Sequence, residues 1–197
     1  MSSNSATSQG LQVLGIAGSL RQGSYNRALL QAAQELVPEG MGIGVFDLSP
    51  IPFYNYDVEQ EGDPEPVTAL KEAIGAADAI LIATPEYQRG IPGVLKNALD
   101  WAARPPRQSV MRGKPAAIMG ASPGFTGTAR AQTQLRQTLE YNRTYALLQP
   151  EVLIGGAGDK FRDGRLVDEE TRTRVRELLA ALADWTRLLQ QGVAART

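Results

Sequence analysis

The chain of 197 residues contains no cysteine and no histidine. Without cysteine it can form no disulfide, thiol nucleophile or thiolate metal site, and without histidine it has no imidazole for acid–base chemistry. We therefore expect no metal centre and no catalytic side chain. A redox enzyme of this composition would take its chemistry from a bound cofactor. The absence of cysteine also favours a location in the cytoplasm.

The chain also lacks an excess of either charge and any long apolar run. Its formal net charge of −1 provides no bulk attraction to nucleic acid or to an anionic membrane surface, so we expect neither as a partner. No apolar run approaches the roughly 20 residues of a membrane span. The apolar fraction of 43% and the charged fraction of 21% are those of a soluble globular protein.

The length of the chain suits one α/β domain with a sizeable core. We place this single domain at residues 11–191. Residues 1–10 are rich in serine and other small polar residues, which predicts a disordered N-terminal tail. Residues 192–197 are predicted to form a short C-terminal tail.

Short apolar runs alternate with segments of helical periodicity along the chain. Strands are predicted at residues 11–17, 43–46, 79–84, 115–121 and 151–154, with a short piece before the last at 145–148. Helices are predicted at residues 25–37, 66–77 and 128–141, after Pro92 at a first helical position, and after a cap at Asp168. Five strands separated by helices predict a parallel sheet with helices on both faces. The irregular segment 48–66 is predicted to be an ordered loop that forms one wall of a pocket.

The loop after the first strand, residues 18–26 (GSLRQGSYN), is rich in hydrogen-bond donors. Ser19, Ser24 and Asn26 offer side-chain donors, and Arg21 adds a positive charge. Ser24 also suits the cap of the next helix, whose N-terminus directs positive potential to the same place. The glycine pattern is neither that of a dinucleotide loop nor that of a triphosphate loop. The loop therefore predicts a cradle for a terminal monophosphate; the alternative is an ordinary turn with a serine cap and a surface arginine.

Asp47 stands at the end of the second strand, where the acidic residue of a dinucleotide-binding fold contacts a ribose. It comes too far from the loop at 18–26, which lacks the required glycines. The sequence therefore favours a role for Asp47 other than ribose binding.

A second motif, residues 85–93 (PEYQRGIPG), follows the third strand, and residues 92–101 (PGVLKNALDW) open the next helix. Pro85 and Pro92 stiffen the backbone, which can then direct its N–H groups at a flat ring. Together with the loop at 18–26, these residues resemble the NAD(P)H-dependent FMN reductases, and most closely the bacterial quinone, chromate and azo-dye reductases. The resemblance extends over about residues 11–189.

This resemblance implies a flavodoxin-like three-layer sandwich with a five-stranded parallel sheet in the order 2-1-3-4-5. It implies that the FMN phosphate is bound by Ser19, Arg21, Ser24, Tyr25 and Asn26. The ribityl chain and the flavin ring would be bordered by Pro85, Glu86, Tyr87, Gln88 and Arg89. The loop at 122–127 would close the other side through Ser122, Gly124 and Gly127. One residue departs from the family pattern, because Gln88 stands where relatives often carry asparagine.

The resemblance also implies an activity. FMN would be the cofactor and NAD(P)H the co-substrate, and a small-molecule acceptor such as a quinone, an azo dye or chromate would be reduced by ping-pong hydride transfer through the flavin. Two alternatives remain open: a flavodoxin-like electron carrier, and an FMN reductase that releases reduced flavin to a monooxygenase. A carrier usually docks through an acidic surface, which a net charge of −1 does not indicate.

A homodimer or homotetramer is the expected assembly, also by resemblance. The polar helix predicted at 128–141 is either solvated or part of a subunit interface, and we assign Arg130 and Glu151 to an interface. Trp101 is expected in the core, with a subunit contact as the alternative. Lys96 and Asp100 have the spacing of an ion pair along one helix face.

Overall fold

The computed structural model describes residues 10–194. The predicted N-terminal tail therefore lies outside the described residues except for Gly10, as do residues 195–197. Among the described residues, no helix is both long and apolar enough to cross a membrane. The elements are β1 (Leu11–Ala17), α1 (Tyr25–Glu35), β2 (Met41–Phe46), α2 (Tyr56–Glu61), α3 (Glu65–Ala76), β3 (Ala79–Ala83), α4 (Gly93–Ala102), β4 (Pro115–Ala121), α5 (Ala129–Tyr141), β5 (Tyr145–Ala146), β6 (Val152–Ile154), α6 (Ala157–Lys160), β7 (Phe161–Arg162), β8 (Arg165–Leu166) and α7 (Glu169–Ala194).

The main sheet is parallel and has the order β2-β1-β3-β4-β5, as predicted. The predicted fifth strand is present in two pieces, β5 and β6, and both pair with β4. Every residue of β3 and β4 is buried, because helices cover both faces of the sheet. This is the flavodoxin-like arrangement, and it brings the carboxyl ends of β1, β3 and β4 to one edge.

Alternate residues of the central strands enter two separate cores. Leu81 lies in the core under α1 and α7, whereas Ile80 and Ile82 lie in the core under α3, α4 and α5. All three side chains are fully buried. Burying an aliphatic side chain of this size contributes about 1.5–3 kcal/mol relative to leaving it exposed. The two cores and the sheet between them form the predicted three layers.

The helix after the third strand begins at Gly93, with Pro92 as its N-cap rather than its first helical residue. Trp101 is fully buried and donates from Nε1 to the Pro52 carbonyl at 2.8 Å. It is thus a core residue and not a subunit contact. Lys96 and Asp100 form the predicted pair, with Nζ 2.6 Å from Oδ1.

The segment 48–66 is ordered, but it is not irregular throughout, since it contains α2 and the start of α3. Asn55 caps α2 through a hydrogen bond from the Asp57 N–H at 2.9 Å. The side chain of Asn97 binds the segment to α4, accepting from the Tyr54 N–H at 2.8 Å. A six-residue helix is too short to show a helical period in the sequence.

The end of the domain contains two further differences from prediction. A turn at Asp163 and Gly164, both at positive φ, joins β7 and β8 into a two-stranded hairpin that the sequence did not indicate. The helix α7 continues to Ala194, three residues beyond the boundary predicted at 191.

Asp168 caps α7, as predicted. Its Oδ2 accepts from the Thr171 N–H at 2.9 Å and from Lys160 Nζ at 3.1 Å. The hydroxyl and the N–H of Thr171 are the main causes that lower the pKa of Asp168 from 3.8 to about 2. The ionised carboxylate therefore stabilises the folded state.

We expect Asp168→Ala to lose about 1 kcal/mol of free energy of unfolding at neutral pH, because a helix cap is removed. A carboxyl group whose pKa is lowered by folding stabilises above its unfolded-state pKa, and this contribution disappears as the pH falls through the folded-state value. The difference between the variant and the parent should therefore narrow between pH 3.8 and about 2. Urea unfolding followed by circular dichroism measures both effects. Asp168→Asn keeps a capping side chain and should lose less; an equal loss would contradict the capping role.

Candidate functional site

Three loops meet at the carboxyl edge of the sheet. They follow β1, β3 and β4, and all of the predicted site residues lie in them or in the first turn of α1. The first two loops are in contact, since Ser19 Oγ lies 3.4 Å from Tyr87 Oη. The third loop is held to β6, where the Ser122 N–H donates to the Ile154 carbonyl at 2.9 Å. The sequence prediction that these segments form one site is consistent with this geometry.

The first loop has the donors of an anion site. The backbone N–H groups of residues 19–23 have no acceptor among residues 10–194. Ser24 Oγ accepts from the N–H groups of Asn26 at 3.2 Å and Arg27 at 3.4 Å, so its own hydrogen is free to donate outward. These groups lie at the N-terminus of the 11-residue helix α1, where positive potential favours a phosphate. The donor set of this phosphate cradle, residues 18–26, fits the phosphate of FMN.

Arg21 is the only cationic residue in the cradle. Its side chain is exposed and forms no ion pair within the described residues. The guanidinium lies 5.8 Å from the centre of the Tyr25 ring, a cation–π distance. The ring of Tyr25 in turn packs against Phe161, with the centres 5.2 Å apart. The Tyr25 ring therefore contacts the Arg21 side chain without neutralising it, and the positive charge of Arg21 remains available to a ligand.

The side chain of Asn26, predicted to donate to the phosphate, has a different role in the structure. Its Nδ2 donates to the Ala121 carbonyl at 2.9 Å, and its Oδ1 accepts from the Ala121 N–H, also at 2.9 Å. The residue is 2% exposed. Asn26 therefore joins the start of α1 to the end of β4 and positions the cradle relative to the third loop. A single sequence contains no signal for this contact, because its partner is backbone 95 residues away.

The second loop is a two-residue hairpin. The N–H and carbonyl groups of Tyr87 and Gly90 exchange two hydrogen bonds of 3.0 Å. Gln88 and Arg89 form the tip, with φ values of 50° and 66°, a left-handed conformation that costs about 1–2 kcal/mol per residue without glycine. Strain of this kind persists where the surrounding structure imposes it, and it is common at binding sites. The hairpin thus presents the backbone of two predicted ring-binding residues in a fixed orientation.

Two side chains hold this hairpin to α5. Glu86 Oε2 accepts from the N–H groups of Arg130 at 2.9 Å and Ala131 at 3.1 Å, so Glu86 serves as the cap that Thr128 does not provide. Gln134 Oε1 accepts from the Ile91 N–H at 2.7 Å. Glu86, predicted to border the flavin, therefore positions the loop. Gln134 was missed, because glutamine on a polar helix is indistinguishable in sequence from a solvated residue.

The third loop needs glycine where its backbone comes close to the backbone of β6. Gly127 has a φ of 60°, and a Cβ there would lie 3.0 Å from the Ile154 nitrogen. Gly124 donates its N–H to Ser122 Oγ at 3.1 Å. Gly127 thus shapes the loop rather than offering a contact of its own. The sequence also missed Phe125, which is 99% exposed at the tip of this loop and lines a cavity shared with Lys160 and Arg174.

The arrangement can bind a flat molecule that ends in a phosphate. The cradle has the donors that a phosphate needs, the hairpin at 87–90 offers fixed backbone dipoles, and Tyr87 is an exposed aromatic side chain beside the cradle. A parallel α/β sheet binds ligands at its carboxyl edge, at the point where the strand order reverses. The fold and the site therefore define a flavodoxin-like flavin-binding protein.

Comparison with known proteins identifies the family. Residues 11–159 match the family model of the NADPH-dependent FMN reductases, and the chain belongs to this family. It is 53% identical over 184 residues to an NAD(P)H-dependent FMN reductase of Pseudomonas aeruginosa, covering 93% of this chain and 99% of the relative. It is 41% identical over 178 residues to a 2-hydroxy-1,4-benzoquinone reductase of Burkholderia, covering 90% and 97%.

A solved structure extends this likeness to the fold. The flavoenzyme FerB of Paracoccus denitrificans, an NAD(P)H:(acceptor) oxidoreductase, superimposes with a TM-score of 0.83 at 36% sequence identity, covering 90% of this chain and 97% of that chain. The predicted family, fold class and cofactors are thereby confirmed: FMN is the flavin and a reduced pyridine nucleotide is the co-substrate.

We expect Arg21→Ala to weaken FMN binding by roughly tenfold or more, because a charge-assisted contact to a dianion is lost from an otherwise intact loop. Fluorescence titration of the flavin-free protein with FMN measures the change. Arg21→Lys keeps the charge and should lose less. Arg187→Ala removes an arginine of similar exposure, paired with Asp184 on α7, and should bind FMN normally. An unchanged dissociation constant for Arg21→Ala would contradict the assignment of the cradle.

Proposed function

We propose that the protein is an FMN-dependent NAD(P)H:quinone oxidoreductase in which both substrates use one site in turn. The observation that carries the proposal is the rim of the site. Tyr87 is 52% exposed and the hairpin tip at Gln88 and Arg89 is exposed, which leaves the ring-binding face open to a second flat molecule. The quinone reductases among the relatives, which align over nearly their whole length, support a quinone as that molecule. We propose azo dyes and chromate as further electron acceptors at the same site.

The residues of the site bind and orient rather than act as acids or bases. When bound, FMN supplies the two-electron chemistry that these side chains cannot. The cradle holds the phosphate, and the constrained hairpin at 87–90 keeps its backbone dipoles in place. Preorganised dipoles of this kind stabilise negative charge as it develops, without a cost of reorganisation. Holding the flavin and its substrate face to face supplies much of the remaining rate enhancement.

An FMN reductase that releases its reduced flavin is the second candidate. Two observations favour it: the likeness to an FMN reductase of Pseudomonas aeruginosa, and the exposure of Arg21 at the open side of the cradle. The two candidates differ in flavin affinity. A quinone reductase of the proposed type keeps its FMN through gel filtration, whereas a flavin-releasing reductase loses it.

We expect ping-pong kinetics with bound FMN as the redox centre. Nicotinamide and acceptor compete for one open face, so one product leaves before the next substrate binds. Double-reciprocal plots at several fixed acceptor concentrations should be parallel. Stopped-flow mixing with NAD(P)H alone should bleach the flavin absorption band before acceptor is added. Intersecting lines, or a flavin that stays oxidised until acceptor arrives, would mean that both substrates bind together.

We also propose that the protein is a homodimer or homotetramer. An apolar patch lies beside β5 and comprises Tyr145, Leu148 and Trp185. Leu148 is 76% exposed and Tyr145 is 51% exposed. Clustered apolar side chains of this kind often mark a protein interface. Glu151, which we assigned to an interface, is exposed and follows Leu148 by three residues in the sequence.

Light scattering at micromolar concentration should therefore give the mass of a dimer or a tetramer. Leu148→Arg should lower that mass, because a charge would be buried in the contact. Val45→Arg is the matched control, since Val45 is 52% exposed on β2, at the opposite edge of the sheet. A monomeric mass for the parent protein with full activity would refute the proposal.

A further inference from the structure

An open cleft of about 930 Å³ adjoins the phosphate cradle. One side of it is the cradle itself, including Ser19 and Ser24. The other sides are α1, the end of β2 and the hairpin of β7 and β8. Among the described residues, its lining includes none from the second or the third loop. The cleft is large enough for a nucleotide-sized ligand, since small-molecule sites span about 300–1,000 Å³.

The cradle separates this cleft from the part of the site that takes the flavin ring. FMN ends at its phosphate, so FMN bound as above reaches the cradle and leaves the cleft free. A flavin whose phosphate continues into a second phosphate would pass through the cradle and enter the cleft. FAD is such a flavin, because its second half is adenosine monophosphate.

Asp47 lies in the cleft at the position where an acidic residue contacts ribose in dinucleotide-binding folds, the end of the strand next to β1. Sequence spacing disfavoured this role, but the structure places Asp47 and the cradle in one cleft. The Ser49 hydroxyl and N–H donate to its carboxylate at 2.6 and 3.1 Å and hold its pKa below the usual 3.8. Each oxygen keeps a further lone pair for a ribose hydroxyl.

The remaining walls suit a base and a second phosphate. The ring of Phe161, tilted by 48° against Tyr25, is a partly exposed aromatic surface on which a purine can stack. Arg27 and Gln31 project from one exposed face of α1, four residues apart. Arg27 forms no ion pair within residues 10–194, so its charge is available to a phosphate next to the cradle.

We propose that this cleft is a subsite for the adenosine monophosphate half of FAD, so that the protein binds FAD as well as FMN. The flavin and its first phosphate occupy the same positions in both cofactors. The Asp47 carboxylate accepts from the ribose hydroxyls, Phe161 stacks on the adenine, and Arg27 pairs with the second phosphate. This inference rests on the proposed function, because it uses the same cradle and the same ring-binding face.

Fluorescence titration of the flavin-free protein with FMN and with FAD tests the inference without an activity measurement. The parent protein should bind FAD with a dissociation constant within tenfold of that for FMN. Asp47→Asn and Phe161→Leu, which keeps an apolar side chain against Tyr25 but removes the stacking ring, should each weaken FAD binding by roughly threefold to tenfold and leave FMN binding within twofold of the parent. Asp184→Asn, a change at an exposed aspartate on α7, is the matched control and should change neither value.

Each other outcome overturns the inference. If FAD does not bind, or if the variants weaken FMN and FAD equally, the cleft holds no part of the dinucleotide. If instead they raise the KM for NAD(P)H of the FMN-loaded protein and leave FAD binding unchanged, the cleft serves the pyridine nucleotide. Failure of the proposed function is distinguishable, because in that case FMN binding or quinone reduction is absent from the parent protein. Normal FMN binding by both variants confirms that they fold.

Discussion

Burial of β3 and β4 on both faces is the constraint on which this structure depends. Every side chain of these strands is enclosed, so helices must cover the sheet above and below, and each crossover returns the chain to the same end. All the loops that follow the strands consequently gather at one edge. The site residues are brought together by this topology, although Ser19 and Tyr87 are 68 residues apart in the sequence and Asn26 and Ala121 are 95 residues apart.

Within that edge, polar side chains set the spacing of the loops. Asn26 joins the cradle to β4, and Glu86 and Gln134 join the hairpin to α5. Each of these contacts pairs a side chain with backbone groups that would otherwise lack a partner, and a group left unpaired in a buried place costs about 1–3 kcal/mol. These hydrogen bonds therefore fix the positions of the loops relative to one another. A cofactor that carries all of the chemistry requires this kind of support, because its orientation is what the protein contributes.

The sequence predicted most of what is decided locally. The apolar runs of the central strands, the capping residues Ser24 and Asp168 and the two loop motifs are all visible within a few neighbouring residues, so the positions of these strands and the place of the site followed from them. The strand order came from the resemblance to the FMN reductases. The roles of Asn26 and Glu86 were not visible, because their partners are backbone groups on distant elements. The short elements α2, β7 and β8 were missed for a different reason: a helix of one or two turns and strands of two residues show no period.

The division of the fifth strand into β5 and β6 has a consequence for how the molecule meets its neighbours. The two pieces pair with opposite ends of β4, and residues 148–151 between them leave the ladder, with Pro150 unable to donate a hydrogen bond. An uninterrupted edge strand would present a row of backbone groups to which another chain could add, the usual route to aggregation. The interrupted edge provides no such template. A partner that binds this side of the sheet must therefore be recognised through side-chain packing, which is selective. Addition of a strand, which any extended chain could provide, is not available here.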